Sequence, residues 1–166
     1  AGPVQVQAGG LRGGFYRFLA QPGLERREAR KMLARTNMPA RRILIVDDEE
    51  SVCEVTKLLV EMTGNMAVCV NDGAAALREM AAQSYDAVIV DMLMPEMDGV
   101  ELIHEVRRRV SPPRLIAMSG GGHIPKESYL QIAHMSGADA LLPKPFNREQ
   151  VERALAEAFG ESAAKP

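Results

Sequence analysis

The chain has 166 residues, 46% of them hydrophobic and 25% charged, which suits one packed domain with an appendage and excludes two full domains. Only 4% are aromatic and there is no Trp, so the core is expected to be Val, Ile, Leu, Met and Ala. The net charge of -2 is unevenly placed: residues 1–40 carry seven Lys/Arg against two acids, and residues 41–166 carry thirteen against twenty. A basic tail can favour nucleic acid or an anionic surface, but the plainer reading, a solvated leader, is preferred, and a nucleic-acid partner is not expected.

No apolar run approaches the length of a membrane span, and residues 1–40 lack the apolar core of a secretory signal. Cys53 and Cys69 form no CxxC and lie in apolar segments, as buried free thiols of a reducing compartment would, with a single disulfide as the alternative. A cytoplasmic location is the expectation.

Residues 1–23 contain six Gly and two Pro without a period, a composition that buries too little surface to offset the entropy of ordering. Residues 24–36 could form a short helix with a thin apolar face at Leu24, Met32 and Leu33, and Asn37 to Pro39 breaks it. Residues 1–40 are therefore read as a basic disordered extension. Residues 1–37 are expected to lie upstream of the true start or to be an added extension, and residues 161–166 to be a tail.

The pattern changes at Arg41. Ile43 to Val46 reads as a strand buried on both faces, as in a parallel sheet, and ends in Asp47-Asp48. A helix follows over Glu49–Met62, with Val52, Val55, Leu58, Leu59 and Met62 at helical spacing. Met66–Val70 is a strand, Gly73–Ala82 an Ala-rich helix, and Ala87–Val90 a strand ending in Asp91. Asp98-Gly99 opens a helix with Val100, Ile103 and Val106. Leu115–Met118 is a strand ending in Ser119, and a helix covers Lys126–Met135. Ala140–Leu142 is a fifth strand before Lys144-Pro145, and a last helix runs over Arg148–Phe159.

Strand and helix alternate five times, which implies a parallel sheet with helices on both faces. In that architecture ligands bind beyond the carboxyl ends of the strands. Asp47 and Asp48, Asp91, Ser119 and Lys144 fall at four such ends. Three converging carboxylates stay ionised only with a cation among them, and an all-oxygen set favours Mg²⁺ or Mn²⁺. A carboxylate can also attack phosphorus to give an acyl phosphate. Lysine and metal would neutralise the transferring oxygens, and a serine hydroxyl can donate to one of them. Each residue has a plainer role taken singly: Asp47-Asp48 as a helix cap, Asp91 and Ser119 as turn residues, Lys144 as a surface charge. Their joint placement favours metal-assisted phosphoryl transfer onto an aspartate.

The motifs ILIVDDEE, VIVDMLMPEMDG, IAMSG and LLPKPF, in this order, resemble the receiver domain of two-component response regulators over residues 41–160. The resemblance implies a flavodoxin-like, doubly wound α/β fold with five parallel strands in the order 2-1-3-4-5 and five helices. The chemotaxis receiver of the same family has this strand order. The resemblance also implies Asp91 as phosphoacceptor, and Mg²⁺ held by Asp48, Asp91 and the Leu93 backbone carbonyl, with Asp47 acting through water. Lys144 would pair with the phosphoryl oxygens, Ser119 would be the switch hydroxyl, and Lys144-Pro145 would be cis. Two departures stand out. Leu141 replaces the aromatic switch residue common three positions before the lysine. Leu93 and Gly121 replace side chains that often orient the hydrolytic water, so slow loss of phosphate is expected.

The expected donor is a histidine kinase or histidine phosphotransfer protein. The receiver is expected to stand alone and to act on a downstream protein or pass the group onward, as a signalling phosphoacceptor that catalyses only its own modification. Homodimerisation is an option of the family. The alternatives are a phosphorylation-independent binding module, which the complete acidic set disfavours, and a fragment of a hybrid kinase or DNA-binding regulator. An aspartyl phosphatase would want DxD after its first strand. His104, His123 and His134 read as surface or packing residues, and Arg107-Arg108-Arg109 as a charged helix end.

Overall fold

The structure, a computed structural model, describes residues 40–120 and 135–161. Five strands and four helices are found there, in chain order: β1 (Arg42–Val46), α1 (Glu50–Met62), β2 (Met66–Val70), α2 (Gly73–Ala82), β3 (Ala87–Asp91), α3 (Gly99–Arg107), β4 (Arg114–Ser119), β5 (Ala140–Pro143) and α4 (Arg148–Ala158). The helix expected over Lys126–Met135 lies outside the described residues except for its end at Met135. The leader, residues 1–39, lies outside them altogether.

The sheet order is β2-β1-β3-β4-β5, with all four pairings parallel. The expected fold is therefore present. The apolar run Ile43–Val46 is fully buried because β1 is central and covered on both faces. Alternation along the strands sorts the core into two layers. Ile43, Ile45, Ile89, Ile116, Met118 and Leu142 face Cys53 and Val60 of α1 and Val151 and Leu155 of α4. Leu44, Val46, Val88, Val90, Leu115 and Ala117 face Ala76 and Met80 of α2 and Leu102, Ile103 and Val106 of α3. Edge strand β2 is less covered, and Met66 is exposed.

Side-chain oxygens set three helix starts. Asp98 accepts from the Glu101 N–H (2.8 Å), and Asp72 from the Ala75 N–H. Asn147 and Gln150 make a reciprocal capping box. The charged end of α3 turns inward as a set of ties. Arg107 donates to the Gly137 carbonyl (2.6 and 2.8 Å) and pairs with Asp139 at 2.7 Å. Asp139 in turn accepts from the Leu115 N–H at 2.7 Å. Arg109 donates to the carbonyls of Met80 and Leu77, satisfying the end of α2. Of the three arginines only Arg108 stays well exposed, beside Glu105.

Candidate functional site

Parallel strands all deliver their carboxyl ends to one edge of the sheet, and the register brings those ends level. Val46 pairs with Val70 and Val90, Asp91 with Met118, and Ser119 with Pro143. The residues just beyond β1, those ending β3 and β4, and those following β5 therefore meet without any long-range adjustment. This is why four separate sequence segments share one site.

Asp47 is fully buried, Asp91 is 6% exposed and Ser119 4%, while Asp48 faces solvent. Carboxylate oxygens of Asp47, Asp48 and Asp91 lie within 4.8 Å of one another. The Lys144 ammonium reaches in from beyond β5, 2.7 Å from Asp47 Oδ2 and 3.1 Å from Asp91 Oδ2. The Lys144-Pro145 peptide is cis, and the Lys144 N–H donates to the Ser119 carbonyl at 2.8 Å. The Leu93 N–H donates weakly to Asp91 Oδ1 at 3.4 Å, and the Leu93 side chain is 65% exposed beside the site.

Asp47 and Asp48 do not cap α1 in the ordinary way. The N-cap position is Glu49, which makes no side-chain cap, and Asp47 Oδ1 instead accepts from the Glu49 N–H at 3.0 Å. Capping by these two aspartates, the plainer reading of the pair, is thus not their main use. Asp48 makes no hydrogen bond or ion pair among the described residues and is left facing the cluster.

Burial pushes the Asp91 carboxyl above the usual carboxylate range; the Lys144 charge and hydrogen bond oppose that rise, and the charge of Asp47 adds to it. Burial alone would lower the Lys144 ammonium. The hydrogen bond to Asp47 and the charge of Asp91 outweigh it, so the lysine is held charged. One ammonium thus faces a partly buried cluster of three carboxylates. A hard divalent cation fits this oxygen set and this charge imbalance better than soft-metal chemistry does, since among the described residues no Cys or His joins the cluster.

A pH dependence follows. With its pKa raised in the metal-free fold, Asp91 keeps its proton to higher pH than in the unfolded chain. Its stabilising contribution is present below the unfolded value and lost as pH rises through the folded one. A cation requires the ionised form, so Mg²⁺ affinity is expected to weaken on acidification starting above about pH 4, the ordinary carboxylate midpoint. Calorimetric Mg²⁺ titrations across pH check this; an affinity flat down to about pH 4 would contradict it.

Two features of the loop after β3 go beyond what its sequence suggests. Asp98-Gly99 opens a helix as expected, but Gly99 has a second role. A Cβ there would lie 2.4 Å from the Asp91 carbonyl oxygen and 2.7 Å from Met92 Cα, so the start of α3 presses directly on the Asp91 backbone. Glu96 adopts a left-handed conformation (φ 68°), which a Glu does not advertise. Leu141 is half-buried against the layer that includes Ala117. His104 is an exposed helix residue, while Gly121, His123 and His134 lie outside the described residues. No helix among the described residues is long and apolar enough to cross a membrane.

Residues 43–156 match the family model described as "Response regulator receiver domain". The Haemophilus influenzae CpxR homolog, a transcriptional regulatory protein, is 34% identical over 113 residues, covering 68% of this chain and 48% of its own. The Vibrio cholerae CAI-1 autoinducer sensor kinase/phosphatase CqsS is 34% identical over 111 residues, covering 66% of this chain and 16% of its own. The chain thus spans about half the length of the first relative and a small part of the second. Among solved structures, the response regulator receiver domain protein of Clostridium thermocellum superposes with a TM-score of 0.64 at 27% identity, covering 72% of this chain and 94% of that one. The chemotaxis protein CheY4 of Vibrio cholerae gives a TM-score of 0.64 at 25% identity, covering 72% and 99%. With the strand order, the acidic cluster and the family match in agreement, the chain belongs to the response regulator receiver domains of two-component signalling.

Proposed function

We propose that this receiver takes a phosphoryl group on Asp91 from the phosphohistidine of a histidine kinase or histidine phosphotransfer protein, in a Mg²⁺-dependent reaction. The observation that carries the reading is the Lys144 ammonium seated between Asp47 and Asp91, with Asp48 facing the same point. Asp48, Asp91 and the Leu93 carbonyl would hold the cation, with Asp47 acting through water; Mn²⁺ could serve in its place. The cation, when bound, offsets negative charge on the carboxylates and on the transferring oxygens.

An ionised Asp91 oxygen attacks phosphorus, the bond from phosphorus to the donor nitrogen breaks, and an acyl phosphate forms. Lys144 already lies within 3.1 Å of an Asp91 oxygen, so it can follow the charge onto the phosphoryl oxygens without a large rearrangement. Ser119, which ends β4 beside β3, would donate its hydroxyl to the same group. The phosphorylated state signals to a downstream protein, or passes the group onward, to the extent that it binds one conformation better than the other. Residues 41–160 form the receiver, and residues 1–37 are not required for this chemistry. With Leu at position 141, motion of Ser119 rather than rotation of an aromatic ring would carry the switch.

Beryllofluoride, which mimics a phosphoryl group on a carboxylate, tests the site. With Mg²⁺ it is expected to raise the Tm of the wild type and to leave Asp91→Ala unchanged. An equal response of both proteins would refute Asp91 as the acceptor.

The side chain at position 93 bears on phosphate lifetime. Leucine beside Asp91 cannot orient a water molecule, so spontaneous loss of phosphate is expected to be slow. Leu93→Asn should shorten the lifetime severalfold, read by intact mass over time. An unchanged lifetime would remove Leu93 from this role.

A further inference from the structure

Cys53 and Cys69 are both free, and neither takes part in the acidic site. They lie in the same apolar layer, between α1 and the edge strand β2. Their arrangement is closer than shared burial requires. Cys69 pairs in register with Ile45 across β1 and β2. The Cys53 thiol donates to the carbonyl of that same Ile45 at 3.8 Å, and the Cys69 thiol donates to the Cys53 carbonyl at 3.1 Å. Cys53 therefore sits over the Ile45–Cys69 pair, with the Cys69 thiol held against its backbone carbonyl.

We propose that Cys53 and Cys69 are an oxidisable pair that closes to an intramolecular disulfide joining α1 to β2. The two differ in access. Cys53 is 1% exposed, whereas Cys69 is half-buried on the edge strand. A low-molecular-weight disulfide such as glutathione disulfide can reach only Cys69. Its thiolate attacks one sulfur of the reagent, the reagent's S–S bond breaks, the other sulfur leaves as one thiol, and the attacked sulfur remains on Cys69 as a mixed disulfide. The Cys53 sulfur then attacks the Cys69 sulfur, the mixed disulfide breaks, and the second reagent thiol departs. The sum is one dithiol oxidised and one reagent disulfide reduced to two thiols, with both cysteine protons passing to the departing thiols or to solvent.

Burial raises both thiols above the usual cysteine value, which makes the reaction slow at neutral pH and faster as pH rises. A bond here closes a short loop and fixes α1, the helix that begins just after Asp48, onto the sheet. It is expected to stabilise the fold chiefly by restricting the unfolded chain.

The full chain, incubated folded with glutathione disulfide at mildly alkaline pH, is to be read by intact mass and by alkylation after denaturation. The expected wild-type product has lost two hydrogens, carries no adduct, blocks both cysteines and shows a raised Tm that dithiothreitol reverses. Cys53→Ala, and Cys53→Ser in case the smaller side chain loosens the core, should instead hold a persistent glutathione adduct on Cys69. Cys69→Ala should stay unmodified. A stable glutathione adduct on the wild type, or two cysteines still free for alkylation after exchange that modifies Cys53→Ala, would overturn the proposal. So would a wild type and a Cys53→Ala variant that both remain unmodified.

Discussion

Gly99→Ala is expected to cost roughly 3 kcal/mol of stability, from forced overpacking against backbone, and a large part of Mg²⁺ binding with it. The added methyl would stand 2.4 Å from the Asp91 carbonyl oxygen and 2.7 Å from Met92 Cα. These atoms cannot yield as a flexible side chain can. Asp91 ends β3, where it is in register with Met118, and the Met92 N–H donates to the Met118 carbonyl at 3.0 Å. Relief must therefore come from moving α3, whose Leu102, Ile103 and Val106 are fully buried, or from moving Asp91 itself. In a domain of this size the loss corresponds to a Tm lower by about 10 °C. Thermal melts with and without Mg²⁺ measure both parts, and a variant within about 2 °C of wild type (roughly half a kcal/mol) would show that the contact relaxes freely.

The second large effect lies at Lys144. Replacement by Met keeps much of the volume and removes the charge between Asp47 and Asp91. Without metal, the fully buried Asp47 and the nearly buried Asp91 then face each other unpaired. Loss of one partner of a buried ion pair costs about 3–5 kcal/mol; partial exposure of Lys144, 20% at its side chain, reduces this to about 2 kcal/mol. Saturating Mg²⁺ should restore most of that stability, because the cation supplies the missing positive charge. It should not restore phosphoryl transfer if Lys144 has the proposed role of stabilising developing charge; a rate loss on the order of tenfold or more is expected. The two readouts separate a structural lysine from a functional one. A variant that is destabilised yet phosphorylated at the wild-type rate would assign Lys144 to folding alone.

The part of this molecule legible in its sequence is the part governed by short periods. Strands covered on both faces must be apolar throughout, so their polar ends stand out, and Asp47, Asp91 and Ser119 are such ends. Parallel pairing then needs no further information to bring those ends together. The helix start at Asp98 is legible for a similar reason, since a capping oxygen acts within three residues.

Features set by long side chains or by backbone contact were not legible. Arg107 and Arg109 read only as part of a charged helix end, yet each spans about 30 residues of sequence to satisfy carbonyls at Gly137 and at Leu77 and Met80. Nothing local to RRR encodes those partners. The pressure of Gly99 on the Asp91 backbone is likewise a tertiary contact, hidden behind the common use of Asp-Gly to open a helix. The positive φ of Glu96 falls on a residue type with no local preference for it. Cys69 was expected to be buried like Cys53, but it lies on an edge strand, and period-two patterning does not tell edge from centre.

Phosphorylation by a small phosphodonor tests Asp91 as the acceptor most directly, read by intact mass on the wild type and on Asp91→Ala, each with and without Mg²⁺. A single phosphate adduct is predicted on the wild type with Mg²⁺ and on none of the other three samples. An adduct of equal yield on folded Asp91→Ala, or on the wild type after chelation of the metal, would contradict it.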